Sequence, residues 1–372
     1  MQSIPRAGER IPVAGPALVL VVGRGADRAV RRAFARDELL PAGADPTPRL
    51  RDGLLTAAVL EEPDPERVDD LLAAAQRHDR AVDAILVGDG ADLPLGRFRR
   101  VVRAGSRFVV DRSPAASDLR HRTGPFDVVG DVHGCLEELL LLLARLGYEV
   151  RLDLVGRPAG ARHPEGRTLV LTGDLVDRGP DVPGVLRLVL GMLASGDALA
   201  VLGNHDDALR RALLGHEVEA VAGLDASLTQ LAAEPATFRA AVLAVLGALP
   251  DHLQLDGGAL VVAHAGLDER YHGHESGRVR SLCLHGPTSG EADADGQPVR
   301  LRWADGYRGA ATVVYGHTPT ADRSWRNGTV CVDGGCVFGG ALVALRYPEG
   351  RFVEVPAVAQ HSAPARPFLP AG

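Results

Sequence analysis

The sequence predicts an α/β fold, and three observations carry that reading. Apolar runs of strand length end in glycine and lead into helical patterns: ALVLVVG precedes RAVRRAF, FDVVG precedes CLEELLLLLARLGY, TLVLTG precedes VPGVLRLVLGML, and ALAVLG precedes DDALRRALL. Three later runs, ALVVAHAG, ATVVYGHTP and TVCVDGGCVFGG, again stop at polar side chains. Composition fits a globular chain, with 46% hydrophobic and 24% charged residues.

At 372 residues there is room for about two domains of roughly 150 residues each. A net charge of −7 argues against a broad nucleic-acid or anionic-membrane surface. All 41 basic residues are arginine, so no lysine can act as nucleophile, Schiff base or phosphate clamp. Cys135, Cys283, Cys331 and Cys336 form no CxxC pair, and reduced thiols are expected. The N-terminus has no apolar core of signal-peptide length and no apolar run reaches a membrane span, so a cytoplasmic protein is expected, with no membrane partner.

Residues 1–15 read as a disordered leader. Residues 16–112 have the pattern of a small three-layer α/β domain, with strands at 54–60, 81–87 and 108–110 and a helix announced by Pro63 and Pro65. Its first turn lies where a P-loop would, and a P-loop needs GxxxxGK[ST]. Gly23, Arg24, Gly25, Ala26, Asp27, Arg28 and Ala29 offer neither the lysine nor the hydroxyl, so no functional ATP site is expected. Residues 113–125, polar and proline-flanked, read as a linker; 126–357 form the second domain and 358–372 a flexible tail. The alanine-rich stretch 224–249 reads as a helical cap over the sheet.

The chemistry gathers in the second domain. Asp131 and His133, two residues apart, can reach one cation from a single turn. Asp174 follows an apolar strand, where a carboxylate is costly to desolvate unless it is paired or holds a cation, and it is placed to bridge to a second ion. Asn204, His264 and His317 would complete that second position. One such residue alone is an ordinary helix cap or core histidine; six strand ends with the same cargo are not, because α/β sites form at the carboxyl ends of strands. Oxygen and nitrogen donors without thiolate point to Mn2+, Fe or Zn2+. Two such ions, about 3.5–4 Å apart, activate water and clamp an in-line phosphoryl displacement. Arg178 adds a guanidinium suited to phosphate.

GDVHG, GDLVDRG, GNHD, the histidine of AHAG and GHTP resemble, in order, the signature of the calcineurin-like metallophosphoesterases, in particular the phosphoprotein phosphatase superfamily. The resemblance implies a two-sheet β-sandwich flanked by helices. It also implies that Asp131, His133 and Asp174 hold one metal and that Asp174, Asn204, His264 and His317 hold a second. Two divalent ions are implied, Mn2+ first with Fe, Zn or Ni as alternatives. Arg178 and Asn204 would contact the substrate phosphate, and His205, oriented by Asp177, would protonate the leaving oxygen. The C-terminal half is similar to the phosphatase module of bacterial polynucleotide kinase-phosphatases, in which the aspartate before GCVFGG belongs to the active site. Here that is Asp333, a further metal ligand, although the family's DTGC reads DGGC. By the same resemblance, residues 16–112 correspond to a degenerate P-loop kinase-like domain. The expected function is metal-dependent hydrolysis of nucleotide or RNA-end phosphates; a serine/threonine phosphoprotein phosphatase and an inactive scaffold are the alternatives.

Overall fold

In the computed structural model the described residues are 10–13, 17–52, 54–78, 80–88, 97–98, 100–105, 107–111, 116–218, 221–292 and 298–364. The chain divides into two units: Met1–Ala116 with Gly273–Ser281, and Ser117–His272 with Leu282–Gly372.

In the first unit, β1 (Arg10–Pro12), β2 (Ala17–Val22), α1 (Ala26–Ala33), α2 (Thr47–Arg51), β3 (Thr56–Leu60), α3 (Pro65–Arg77), β4 (Ala81–Val87), β5 (Arg100–Ala104) and β6 (Val109–Asp111) follow in order. A parallel sheet of order β3-β2-β4-β5 forms its centre, and β1 pairs in parallel with β6. β2 and β4 are buried along their whole length, as expected of central parallel strands read as continuous apolar runs. Asp64 caps α3 by accepting from Arg67 N at 3.1 Å, with Pro65 at the first helical position. The expected leader lies mostly outside the described residues, and the part within them, β1, is paired. β5 was not foreseen, because its charged RVVRA pattern lacks the apolar run of its neighbours.

The first turn carries its own anion. Glu61 accepts from Gly25 N at 2.8 Å and from Asp27 N at 2.8 Å, taking the amides that a P-loop offers to phosphate.

The second unit contains two sheets. One has the order β11-β10-β7-β18-β19, where β7 is Phe126–Val129, β10 Thr168–Leu171, β11 Ala198–Ala200, β18 Ala341–Tyr347 and β19 Arg351–Pro356. β7, β10 and β11 are parallel, and β18 runs antiparallel to β7. The other has the order β12-β13-β16-β17, from His252–Leu255, Leu260–Ala263, Thr312–Tyr315 and Thr329–Cys331. Val128, Val170, Val343, Leu253, Val262 and Val314 from both sheets form one buried core, which makes the unit a sandwich. A second core lies on the helical side of the first sheet, packing it against α4 (Leu136–Leu146), α5 (Val182–Ser195), α6 (Asn204–Leu213), α7 (Leu224–Ala232) and α8 (Ala236–Ala248). The hairpins β8 (Glu149–Leu152) with β9 (Pro158–Arg162) and β14 (Thr288–Ala292) with β15 (Pro298–Arg300), and the short helix α10 (Trp303–Gly306), complete it; α9 (Gly277–His285) has its first residues, to Ser281, in the first unit and its last in the second.

At the amino end of the strands, buried Arg167 pairs with Asp127 at 3.0 Å, donates to Phe126 O at 2.9 Å and pairs with Glu349 at 2.8 Å. Two expectations need correction. Of the expected linker, 113–115 lie outside the described residues, while Ser117 O and Leu119 N bond to Gln254 at 2.8 and 3.0 Å, so this segment binds the edge of β12. Of the expected flexible tail, 365–372 lie outside the described residues, but Val358 N donates to Glu138 at 2.9 Å and His361 and Ser362 donate to Val337 O, each at 3.0 Å. The helical cap expected at 224–249 consists of α7 and α8, separated at Pro235. All four cysteines are free and buried. Among the described residues no helix is long and apolar enough to cross a membrane.

Candidate metal centre

The turns after β7, β10, β13, β16 and β17 and the start of α6 bring the anticipated side chains together. The ligand atoms of His133, Asp174 and His205 lie within 4.8 Å of one another, as do those of Asp174, His264 and His317. Asp174 is common to both groups. Asn204 joins the second, its Oδ1 lying 2.9 Å from His264 Nε2. Asp131 lies 3.9 Å from His264 Nδ1 and accepts from His317 N at 2.9 Å and from Thr172 Oγ1 at 3.2 Å. It therefore borders the second group more closely than its sequence neighbour His133 suggested. Asp333 is buried beside Asp131 and accepts from Gly335 N at 2.9 Å.

The local backbone is strained where these residues sit. Among the described non-glycine residues seven have positive φ, and five of them are His133, Asp174, Asp177, Arg178 and His317. Left-handed backbone costs such residues roughly 1–3 kcal/mol each and persists where surrounding contacts dictate it. Two glycines let the turns close: a Cβ on Gly316 would lie 2.0 Å from Asp131 Oδ1, and one on Gly203 2.2 Å from Asp174 N. Gly334, where the resembling family has threonine, has no space for a side chain, since a Cβ there would lie 2.3 Å from Ala341 O.

Backbone carbonyls set the histidine tautomers. His133 Nδ1 lies 2.7 Å from Val176 O, and His264 Nδ1 lies 3.0 Å from Thr172 O, so each Nδ1 carries the proton and donates it. His133 Nε2 then presents a lone pair and accepts from Arg178 Nη1 at 2.7 Å. His264 Nε2 faces Asn204 Oδ1 at 2.9 Å, Asp174 Oδ2 at 3.3 Å and His317 Nδ1 at 3.0 Å. Such a convergence of acceptors needs a proton or a metal cation at its centre. His317 Nε2 is buried with no hydrogen-bond partner. An orphaned imidazole nitrogen beside clustered carboxylates fits a divalent cation.

Electrostatics agree. Burial, then the Arg178 guanidinium, holds His133 well below its usual range; burial, then His264 and Arg300, does the same for His317. Burial alone would push His264 down, but the carboxylates of Asp174 and Asp131 outweigh it and raise it to about 9. Burial, then the charge of Asp333, raises Asp131 well above the carboxylate range, and burial with the charge of Asp174 pushes Asp333 up to about 6. Asp174 is held well below that range because His264 and His205 outweigh its burial. Buried carboxylates beside two imidazoles held below their usual range leave only the His264 proton as counter-charge at the cluster's centre, a place that suits a cation.

His205 Nδ1 lies 2.6 Å from Asp177 Oδ2, and His205 N donates to Asp174 Oδ1 at 3.0 Å. Two supporting residues escaped sequence reasoning. Ser227, on α7, donates to Asp177 Oδ1 at 2.6 Å and accepts from Asp177 N at 3.1 Å. Asp206 accepts from Leu175 N at 2.9 Å and Gly203 N at 3.1 Å, tying the turn after β10 to the start of α6. Asp206 had a signal, being the acid of GNHD; Ser227 had none. A cavity of about 910 Å3 opens over the cluster, reaching from Arg178 and Phe338 past His317 to Arg300, Trp303 and Arg326.

A sandwich with carboxylate and imidazole donors converging at its strand ends is the architecture of a metal-dependent phosphoester hydrolase. The calcineurin-like phosphoesterase pattern matches residues 124–321, just over half of the chain, and the chain belongs to that family. The family works with a dinuclear divalent metal centre, and the protein is accordingly a phosphatase-type hydrolase. It is 41% identical over 248 residues to the bis(5'-nucleosyl)-tetraphosphatase PrpE [asymmetrical] of Anoxybacillus flavithermus, covering 65% of this chain and 99% of that one. It is 39% identical over 235 residues to the protein of the same name from Bacillus subtilis, covering 62% and 94%. Among solved structures, one described as a candidate diadenosine tetraphosphatase is 28% identical, with a TM-score of 0.47, over 64% of this chain and 96% of that one.

Proposed function

We propose that this enzyme hydrolyses dinucleoside polyphosphates, cutting a phosphoanhydride of the chain between the two nucleosides. The observation that carries the reading is the match over nearly the whole length of relatives named for that activity, and a cavity of about 910 Å3 over the cluster has room for more than one phosphate.

In this reading Asp131, His133 and Asp174, with Asp333 beside them, would hold one divalent ion, and Asp174, Asn204, His264 and His317 would hold the other, with Mn2+ preferred and Fe, Zn or Ni as alternatives. Bound ions of this kind supply a hydroxide nucleophile at neutral pH and positive charge for phosphoryl oxygens. Arg178, aided by Asn204, orients the phosphate under attack. Water oxygen forms the new P–O bond, the bond to the bridging oxygen breaks, and His205 gives its Nε2 proton to that leaving oxygen. Asp177, buried and tied to Ser227, keeps the imidazole in place, which the 2.6 Å contact supports.

The N-terminal unit we infer to be a P-loop-type fold without the nucleotide site, as the resemblance to polynucleotide kinase-phosphatases implies. The Glu61 carboxylate on the first turn supports that reading. A phosphoprotein phosphatase would share the metal ligands, because such a site reads phosphate and the loops read the rest. The test is a panel with Mn2+: a dinucleoside tetraphosphate, a 2',3'-cyclic nucleotide, a 3'-phosphorylated RNA and a phosphopeptide. The tetraphosphate should give the highest kcat/KM, with a mononucleotide and a nucleoside triphosphate as products. Preference for RNA ends or the phosphopeptide would overturn the proposal.

A further inference from the structure

We infer that Arg300 holds the phosphates of the substrate beyond the one being cleaved, with Leu301 and Trp303 offering apolar wall to the nucleoside at that end. The inference rests on the polyphosphate reading above. Two guanidiniums stand at opposite ends of one row of contacts. Arg178 Nη1 donates to His133 Nε2 at 2.7 Å, His133 lies 3.6 Å from Asp174, Asp174 lies 3.3 Å from His264, and His264 lies 3.0 Å from His317. At the far end Arg300 Nη1 donates to His317 O at 3.3 Å and to Thr318 Oγ1 at 2.7 Å.

Both arginines line the same cavity. A phosphomonoester is served by the cluster and Arg178 alone, whereas a chain of phosphates extends negative charge past His317. A guanidinium there meets it with paired N–H donors. Next to Arg300, Leu301 is 50% exposed on the cavity wall. Trp303 adds an indole 5.2 Å from the ring of Tyr315, and aromatic wall of this kind suits a nucleobase.

The test compares wild type, Arg300→Gln and Arg300→Lys with a dinucleoside tetraphosphate and p-nitrophenyl phosphate. Affinity for a non-hydrolysable methylene-bridged dinucleoside tetraphosphate is measured by calorimetry as a readout independent of turnover. The ratio of kcat/KM for the tetraphosphate to that for p-nitrophenyl phosphate should fall about 10–100-fold in Arg300→Gln, the worth of hydrogen bonds to a charged group. Analogue affinity should fall in parallel, and Arg300→Lys should recover part of both. An unchanged ratio with lower activity on both substrates would mean that Arg300 merely braces the His317 turn, and overturns the inference; unaltered kinetics overturns it as well. Wild-type enzyme that cleaves p-nitrophenyl phosphate but not the tetraphosphate would overturn the polyphosphate reading itself.

Discussion

Asp177→Asn isolates the proton-donating half of the site. Asp177 is fully buried, with one oxygen 2.6 Å from His205 Nδ1 and the other accepting from Ser227 Oγ at 2.6 Å, so asparagine fits the same space without the charge. A hydrogen bond to a charged group contributes about 1.5–3 kcal/mol and a neutral one about 0.5–1.5, so the change removes about 1–2 kcal/mol of support from a histidine that must carry a proton. Spread over a step in which general acid catalysis supplies roughly 10^2–10^4-fold, that is about a 5–30-fold loss of kcat, felt only where the leaving oxygen needs protonation. The assay is kcat over a series of phosphate esters graded by leaving-group basicity, with Mn2+ in excess and metal content measured alongside. The loss should be greatest for alkoxide leaving groups and nearly vanish for p-nitrophenolate, steepening the dependence of log kcat on leaving-group pKa. A uniform loss across the series would refute the role given to the pair.

The metal-free protein should become less stable between about pH 6.5 and pH 9. His264 is raised to about 9, so the folded state keeps a proton that the unfolded chain, at about 6.5, has released; stability present below that lower value is lost as pH rises. Divalent metal displaces that proton, so its Tm increment should be larger at pH 8.5 than at pH 6.5, and a smaller one would contradict the assignment. Arg167→Ala removes the closest partner of the buried Asp127 carboxylate at the other end of the strands but leaves it Arg346 at 3.4 Å and the Tyr148 hydroxyl at 3.1 Å, so it should cost about 1.5–3 kcal/mol in urea unfolding while the rest of the fold survives; a loss below about 0.5 kcal/mol would show the pair to be dispensable. With Glu61 seated on the turn amides, incubation with ATP and a 5'-hydroxyl RNA should give no phosphate transfer, and robust transfer would overturn the reading of the N-terminal unit.

The strand ends were legible because their signal is local. An apolar run, a glycine and a ligand-bearing turn lie within a few residues, and GDVHG, GDLVDRG and GHTP each announce a position at a sheet edge. What the sequence could not announce is what arrives from afar. Ser227 reaches Asp177 across 50 residues from a helix that read as plain cap. Asp131 leans toward His264 and the His317 turn because β7 and β16 belong to facing sheets, a relation no spacing encodes. Glu61 fills the first turn from the strand beside it. The segment around Ser117 looks like a linker by composition, and its backbone hydrogen bonds to Gln254 are indifferent to side chains.

The central claim is that Asp174 belongs to two metal sites at once. Metal counting on purified, dialysed protein reloaded with Mn2+, together with hydrolysis of the dinucleoside tetraphosphate, tests it for wild type and Asp174→Asn. The account predicts two ions per wild-type chain, and at most one ion with no measurable hydrolysis in the variant, whose thermal unfolding remains cooperative. Two ions and wild-type turnover in Asp174→Asn would contradict it.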